Sequence, residues 1–191
     1  MGIKKFLLDG QSENGNLIYK KMLMWLNNPK RVKYNNPDRL VQASGIQSGQ
    51  TVLEIGCGSG FFTVSASKIL GDEGKLYSID IHPLAVEETQ KKVDQLELKN
   101  VIVKKEDAMK SSFGDSMFDL VLLYGVVPAP VIPMKDISRE IYRVLKPGGI
   151  YAIWTLSPFW SPCTALKCAS FEKMKKLNGV FRLRKVNYPN Q

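Results

Sequence analysis

A glycine-rich turn follows a short apolar segment in the first third of the chain. The apolar segment is 51–55 (TVLEI), and the turn reads GCGSG over 56–60, directly ahead of a stretch compatible with a helix. Glycine adopts backbone conformations that other residues resist, and it leaves room for a ligand to approach the main chain. An exposed helix N-terminus also offers unpaired N–H groups to polar ligand atoms. The segment therefore predicts that a small cofactor lies across the turn.

The glycine spacing and the acid before it argue against a nicotinamide dinucleotide. The dinucleotide fingerprint is G-x-G-x-x-G, whereas the third glycine here, Gly60, comes one residue early. Glu54 lies two residues before the turn, and its charge would repel a pyrophosphate so close. A cationic sulfonium ligand with a free amino group meets no such conflict.

Predicted strands and helices alternate around this turn. The predicted strands are 51–55, 75–80, 101–108, 118–125, 150–155 and 179–186, and the predicted helices are the second half of 1–28, 38–44 with Asp38 as its cap, 61–70, 83–98, 134–145 and 163–177. Such alternation indicates βαβ units, and hence a doubly wound parallel α/β sheet. Because right-handed crossovers bring the carboxyl ends of the strands to one edge, the ligand is expected at that edge.

The segment VLEIGCGSGFFT (52–63) resembles motif I of class I S-adenosylmethionine-dependent methyltransferases. Asp80, at the end of the second predicted strand, stands where this family grips both ribose hydroxyls. Asp107, at the end of the third, matches the acid that faces the adenine amino group. The turn RVLKPGG (143–149) then precedes the fifth strand, as in the family. The resemblance covers roughly 40–156 and is closest in character to the branch that includes the ubiquinone and menaquinone biosynthesis methyltransferases.

The resemblance implies a Rossmann-like, mostly parallel sheet in three α/β/α layers, with S-adenosylmethionine as cofactor and S-adenosylhomocysteine as product. Taken singly, Asp80 could cap the next helix and Asp107 could be an ordinary loop acid, but both together behind the glycine turn favour a cofactor site. The residues implied to bind the cofactor are Glu54, Gly56, Cys57, Gly58, Gly60, Asp80, Ile81, Asp107, Ala108 and Leu123.

Methyl transfer from a sulfonium is an in-line displacement, in which the protein mainly aligns the reactants in a dry pocket. A general base is needed only when the nucleophile is a hydroxyl or an acidic carbon. His82, the one histidine, lies two residues past Asp80, which favours a place near the adenine edge or in solvent. Tyr124 ends the fourth predicted strand, where the family borders donor and acceptor. It is the candidate catalytic residue, through substrate orientation or ring contact with the sulfonium; the alternative is a packed aromatic.

Three classes of function stay open. A small, lipophilic acceptor is favoured by the motif, by the apolar loop 125–133 and by the stretch 17–26, which would suit an interfacial helix in contact with a membrane. RNA or protein as acceptor is favoured by the basic ends, because 1–40 carries eight Lys/Arg against three Asp/Glu and 163–191 carries seven against one. Nucleic acid is the weaker alternative, since no Asn-Pro-Pro-Tyr-type tetrapeptide occurs. The third class is a non-catalytic cofactor-binding protein. The aromatic side chains that could line an acceptor pocket or pack in the core are Tyr19, Trp25, Tyr34, Trp154 and Trp160.

The chain length favours one catalytic domain, over 41–191, with 1–40 as a helical lid. The family usually ends in two antiparallel strands, but only about 180–188 is available here. One strand is therefore expected to be missing, very short or supplied by a partner, as in a homodimer.

No apolar run approaches the roughly 18 residues of a membrane span, and the first ten residues resemble no secretion signal. Three cysteines without zinc-type spacing favour a reducing cytoplasm and no metal site.

Overall fold

The computed structural model describes residue 10 and residues 12–127, 133–157 and 159–186 of the 191-residue chain. Its helices are α1 (Glu13–Leu26), α2 (Lys30–Tyr34), α3 (Pro37–Gln42), α4 (Thr63–Leu70), α5 (Pro83–Gln95), α6 (Met134–Val144) and α7 (Cys163–Cys168). Its strands are β1 (Thr51–Ile55), β2 (Lys75–Asp80), β3 (Val101–Lys105), β4 (Phe118–Tyr124), β5 (Leu145–Trp154), β6 (Phe171–Lys173) and β7 (Phe181–Lys185).

The seven strands form one sheet in the order β3-β2-β1-β4-β5-β7-β6. Strands β1 to β5 pair in parallel, whereas β7 runs antiparallel to both β5 and β6. The central strand β4 is buried along nearly its whole length, as a parallel strand covered on both faces must be. The prediction of a doubly wound, mostly parallel sheet is confirmed.

Two apolar clusters cover the two faces of this sheet. Successive side chains of a strand point to opposite faces, so Leu120 and Leu122 pack in one cluster while Val121 and Leu123 pack in the other. Helices α3 and α4 contribute to the first cluster and α6 to the second. The result is the predicted three-layer arrangement, with the carboxyl ends of the parallel strands left at one edge.

Helix α1 packs on α5 rather than on the sheet. Its inner side chains Tyr19 and Leu23 form a small apolar cluster with Ala85 of α5. Ser12 caps its first turn by accepting a hydrogen bond from the Gly15 N–H at 3.2 Å. This packing brings α1 beside the carboxyl end of β2, where the functional site lies.

Three local predictions are wrong. Strand β5 begins at Leu145, within the predicted turn 143–149, because Leu145 already pairs with Phe118 of β4 before a shift in register. The predicted helix 163–177 ends at Cys168, because Phe171–Lys173 pairs with β7 instead, and a pairing partner ten residues away overrides local helical character. The family's second antiparallel strand is thus present but only three residues long, and this chain itself supplies it. The cap of α3 is Asn36, which accepts from the Arg39 N–H at 2.9 Å. Asp38 lies inside the helix and accepts instead from the Ser65 hydroxyl at 2.5 Å.

The apolar loop predicted over 125–133 lies only partly in the described residues, since 128–132 fall outside them. Within the described part of the chain, no helix is both long and apolar enough to cross a bilayer. Over the same residues, no group of three or more His, Cys, Asp or Glu side chains comes together as a metal site.

Candidate functional site

A cavity of about 370 Å³ lies at the carboxyl ends of β1, β2 and β4. Its floor is the glycine turn, one side is formed by residues 79–81 and 106–109, and the opposite side by residues 124–126. Side chains of α1 and α2 complete the wall. Those side chains are Tyr19, Met22, Trp25, Leu26 and Arg31. The predicted edge of the sheet therefore carries the cavity.

The glycine turn is held against β2 by its own backbone. The N–H groups of Gly56 and Cys57 both donate to the Ile79 carbonyl, at 2.8 and 3.1 Å. Gly56 has a φ of +79°, and a Cβ added there would overlap the Cγ2 of Val126. A side chain at position 56 would thus meet both an unfavourable backbone conformation and a neighbour with a stiff, branched side chain. Glycine is therefore required here by the backbone conformation and by the packing of Val126.

Asp80 lies at the end of β2 with both carboxylate oxygens facing the turn region. Its Oδ2 accepts from the Gly58 N–H at 3.1 Å and its Oδ1 from the His82 N–H at 2.9 Å. The Ile81 N–H and the Tyr19 hydroxyl also act on this carboxylate. Burial raises the pKa of Asp80, and hydrogen bonding by His82, Gly58, Ile81 and Tyr19 opposes that rise. An ionised carboxylate offers about four acceptor positions, and the two backbone hydrogen bonds occupy two of them.

Asp107 follows β3 and lines the same cavity, with Ala108 next to it. Its Oδ1 accepts from the Met109 N–H at 3.0 Å, which fixes the loop after β3. Asp80 and Asp107 therefore lie on neighbouring strand ends of one cavity. Seven of the ten residues implied to bind the cofactor line it, namely Gly56, Cys57, Gly58, Asp80, Ile81, Asp107 and Ala108.

The other three lie away from the cavity surface. Glu54 is buried beneath the turn, where its Oε2 accepts from the Thr63 hydroxyl at 2.6 Å and from the Ser78 hydroxyl at 2.7 Å. Burial raises the pKa of Glu54 from 4.5 to about 7. Gly60 faces Thr89 and Lys92 of α5, and Leu123 is fully buried in the core. Glu54 thus links β1 to β2 and to α4, and its contact with the cofactor stays a prediction.

Tyr124 contributes its ring to the cavity wall, but its hydroxyl is engaged elsewhere. The hydroxyl donates to the Leu40 carbonyl at 2.9 Å, and the ring meets Phe62 edge-on with 5.1 Å between centroids. Burial raises the pKa of Tyr124, so it keeps its proton at neutral pH. This geometry agrees with a packed aromatic, while substrate orientation and ring contact with the sulfonium stay predictions for Tyr124.

His82 is fully buried, so the solvent position considered from the sequence is wrong. Its ring stacks on Tyr19 at 3.6 Å between centroids with the planes 5° apart. Its Nδ1 accepts from the Leu84 N–H at 3.2 Å and so caps α5. His82 is not among the residues that line the cavity. Its contacts with Tyr19 of α1 and with the first turn of α5 indicate a structural role.

The aromatic candidates divide between wall and core. Tyr19 and Trp25 line the cavity, Tyr34 is exposed, and Trp154 and Trp160 pack against the apolar clusters. Arg31 and Met22 also line the wall, although the sequence did not indicate this. The one available signal was the inward stripe Gly15–Tyr19–Leu23, which recurs every four residues along α1 and marks the face that packs on α5.

Comparison with protein families gives a match over most of the chain. A family model described as a methyltransferase domain matches residues 46–186. Among curated relatives, the demethylmenaquinone methyltransferase of Geobacillus stearothermophilus is 28% identical over 139 residues, covering 72% of this chain and 58% of that protein. The enzyme of the same name from Staphylococcus aureus is 33% identical over 115 residues, covering 59% and 45%. The chain therefore spans about half the length of the curated relatives it matches.

Solved structures resemble the whole fold. A SAM-dependent methyltransferase from Aquifex aeolicus superposes with a TM-score of 0.70 at 25% identity, covering 86% of this chain and 96% of that one. A SAM-dependent O-methyltransferase from Thermotoga maritima gives a TM-score of 0.66 at 14% identity, covering 91% and 73%. The second likeness is one of fold alone.

Proposed function

The chain belongs to the methyltransferase-domain family of class I S-adenosylmethionine-dependent enzymes, and on that premise we propose that it methylates a small, lipophilic molecule. One observation carries the proposal: the glycine turn and two carboxylates, Asp80 and Asp107, lie around a single cavity whose remaining wall is mostly apolar. The names of the curated relatives, which are demethylmenaquinone methyltransferases, agree with an acceptor of this class.

The residues of the cavity fit an adenosyl cofactor. In this assignment Asp80 receives the ribose hydroxyls, Asp107 faces the adenine, and the backbone of 56–60 lies under the sulfur. The position of the turn supports the assignment, because residues 56–59 border the same cavity as Asp80 and Asp107. When bound, the cofactor supplies an electrophilic methyl group. The chain's own residues orient it and exclude water.

The chemistry of the wall favours an acceptor that ionises by itself. Burial raises the pKa of the Tyr19 and Tyr124 hydroxyls and of the Cys57 thiol, so these three cavity groups keep their protons at neutral pH. They are therefore poor general bases there. An acidic enol or phenol would bring its own nucleophile, and the apolar side chains of Met22 and Leu156 would pack against its ring.

Methyl-label transfer tests this function. The purified chain is incubated with S-adenosylmethionine labelled in its methyl group, together with either a lipid extract or an aqueous metabolite extract. We expect label in a lipid-soluble product that is heavier by one CH₂ group, and much less label with Asp80→Ala. Label that appears in RNA or protein, or in neither extract, would contradict the proposed acceptor class.

We further propose that the outer face of α1 contacts an anionic membrane surface. Leu17, Ile18, Met24 and Trp25 recur at helical spacing on this face, and Met24 and Trp25 are 73% and 54% exposed. Lys21 lies on the same face of α1, so an anionic bilayer would match both the apolar side chains and the positive charge of this face. Trp25 also lines the cavity, which supports direct entry of a lipid-soluble acceptor from the bilayer.

Co-sedimentation with vesicles tests the membrane contact. We expect the chain to pellet with phosphatidylglycerol vesicles more than with phosphatidylcholine vesicles, and Met24→Glu to abolish this because it places a charge in the apolar face. The matched control is Leu96→Glu, an equally drastic change at an exposed leucine beyond the end of α5. Equal binding by wild type and Met24→Glu would exclude α1 as the contact.

A further inference from the structure

Arg31 places a buried positive charge in the cavity wall. Its side chain is only 8% exposed, and its guanidinium carbon lies 4.2 Å from the centroid of the Phe61 ring and 5.4 Å from that of Trp25. Its Nη1 donates to the Leu26 carbonyl at 2.7 Å. Its Nε has no hydrogen-bond partner within the described part of the chain. Arg31 therefore has donor capacity that its surroundings leave unused.

Burying a guanidinium with unused donors is unfavourable unless an anion binds to it. A guanidinium stays charged in proteins, and a buried charge without a counter-ion is strongly unfavourable. Burial alone lowers the pKa of Arg31, with no neighbouring carboxylate acting to raise it. Contact with two aromatic rings offsets a part of the cost. The planar fork of donors matches a carboxylate in particular.

The order of groups along the edge of the sheet indicates which ligand carboxylate would reach Arg31. The sheet order β3-β2-β1 places Asp107, Asp80 and the glycine turn in a row. A ligand with its adenine at Asp107 and its ribose at Asp80 would extend its amino-acid end past the turn. Phe61, under Arg31, directly follows that turn. Leu26, whose carbonyl holds Arg31, has its Cδ1 only 3.5 Å from where a Cβ of Gly58 would lie.

We propose that Arg31 binds the carboxylate at the amino-acid end of the cofactor. This inference rests on the proposed cofactor site and adds to it a residue from outside the region of family resemblance. It makes α2 a part of cofactor recognition, and it explains why a cation is buried at a wall that is otherwise apolar and aromatic.

Calorimetry with two ligands tests the proposal. S-adenosylhomocysteine carries the carboxylate, whereas 5′-methylthioadenosine retains the adenosine and thioether but lacks the amino-acid end. Arg31→Gln keeps a donor for the Leu26 carbonyl and removes the charge. We expect it to weaken S-adenosylhomocysteine binding by about 10- to 100-fold, the size associated with hydrogen bonds between charged groups, and to leave methylthioadenosine binding unchanged.

Matched variants separate binding from structure. Lys33→Met removes the same charge from an exposed position of the same helix and is expected to change neither affinity. Arg31→Met repeats the test without the amide, and thermal unfolding without ligand compares the folds. Equal weakening of both ligands by Arg31→Gln, or no change in either, overturns the proposal; the second result would fit an anionic acceptor instead. Failure of the wild type to bind either ligand would refute the proposed cofactor site itself.

Discussion

At the scale of single residues, Asp80 combines burial with acceptor capacity that the chain does not exhaust. Its carboxylate accepts from two backbone N–H groups. If it receives the ribose, Asp80→Ala should weaken S-adenosylhomocysteine binding by about 1.5–3 kcal/mol, the scale for hydrogen bonds to a charged group. Calorimetry measures this, with exposed Asp94→Ala on α5 as control. An unchanged affinity in Asp80→Ala would remove the ribose assignment.

Glu54 gives a prediction about pH and stability. Burial raises its pKa from 4.5 to about 7, so between these values the folded chain holds a proton that the unfolded chain has released. Linkage then makes the free energy of unfolding fall as pH rises through this window, by at most about 3 kcal/mol for this group. Above the window the loss is complete.

Glu54→Gln cannot ionise and should flatten this slope. Urea unfolding at several pH values between 4.5 and 7 measures it. Exposed Glu73→Gln should retain the wild-type slope. An identical slope in Glu54→Gln and wild type would mean that Glu54 is already ionised in the folded protein.

The glycine turn and the two acids could be located from the sequence because each follows directly from a short apolar strand. The direction in which a side chain points at the end of a strand could not be predicted from the sequence. Glu54 was expected to touch the cofactor, yet its partners Thr63 and Ser78 lie on other elements. The partner of Tyr124 is the Leu40 carbonyl, 84 positions away. Local spacing carries no information on such contacts.

At the scale of elements, α1 reaches the cofactor site through Tyr19. Two backbone donors occupy two of about four acceptor positions of Asp80, and a ribose offers two hydroxyls for the other two. The Tyr19 hydroxyl, which acts on the same carboxylate, should therefore yield its place when the cofactor binds. Tyr19→Phe removes the competing hydroxyl and keeps the ring that stacks on His82.

We accordingly expect Tyr19→Phe to bind S-adenosylhomocysteine at least as tightly as wild type. Tyr19→Ala, which also removes the ring, should instead loosen α1, and hydrogen exchange over Glu13–Leu26 should rise. Substantially weaker binding by Tyr19→Phe would show that the hydroxyl contacts the cofactor directly.

The predicted boundaries of helices and strands agree best with the structure where the sequence pattern is strongest. Strands β1, β2 and β4 lie close to their predicted ranges because each is an apolar run between clear turn residues. The three-residue strand β6 is too short to show a period, so the sequence predicts the end of a helix there. Its pairing with β7 depends on tertiary contacts, which a local sequence pattern does not reveal.

At the scale of the whole molecule, the sheet order arranges the site. Placing β3, β2, β1 and β4 side by side sets Asp107, Asp80, the glycine turn and Tyr124 in a row, which an extended ligand can span. The division into a lid over 1–40 and a catalytic domain over 41–191 stays a prediction. It is supported by the wall residues that α1 and α2 contribute.

The most direct test is a crystal structure of the chain grown with S-adenosylhomocysteine. We predict that the thioether lies over residues 56–60, that both ribose hydroxyls meet the Asp80 carboxylate, and that the adenine lies beside Asp107. A ligand bound elsewhere at saturating concentration, or one whose sugar does not contact Asp80, would contradict the account.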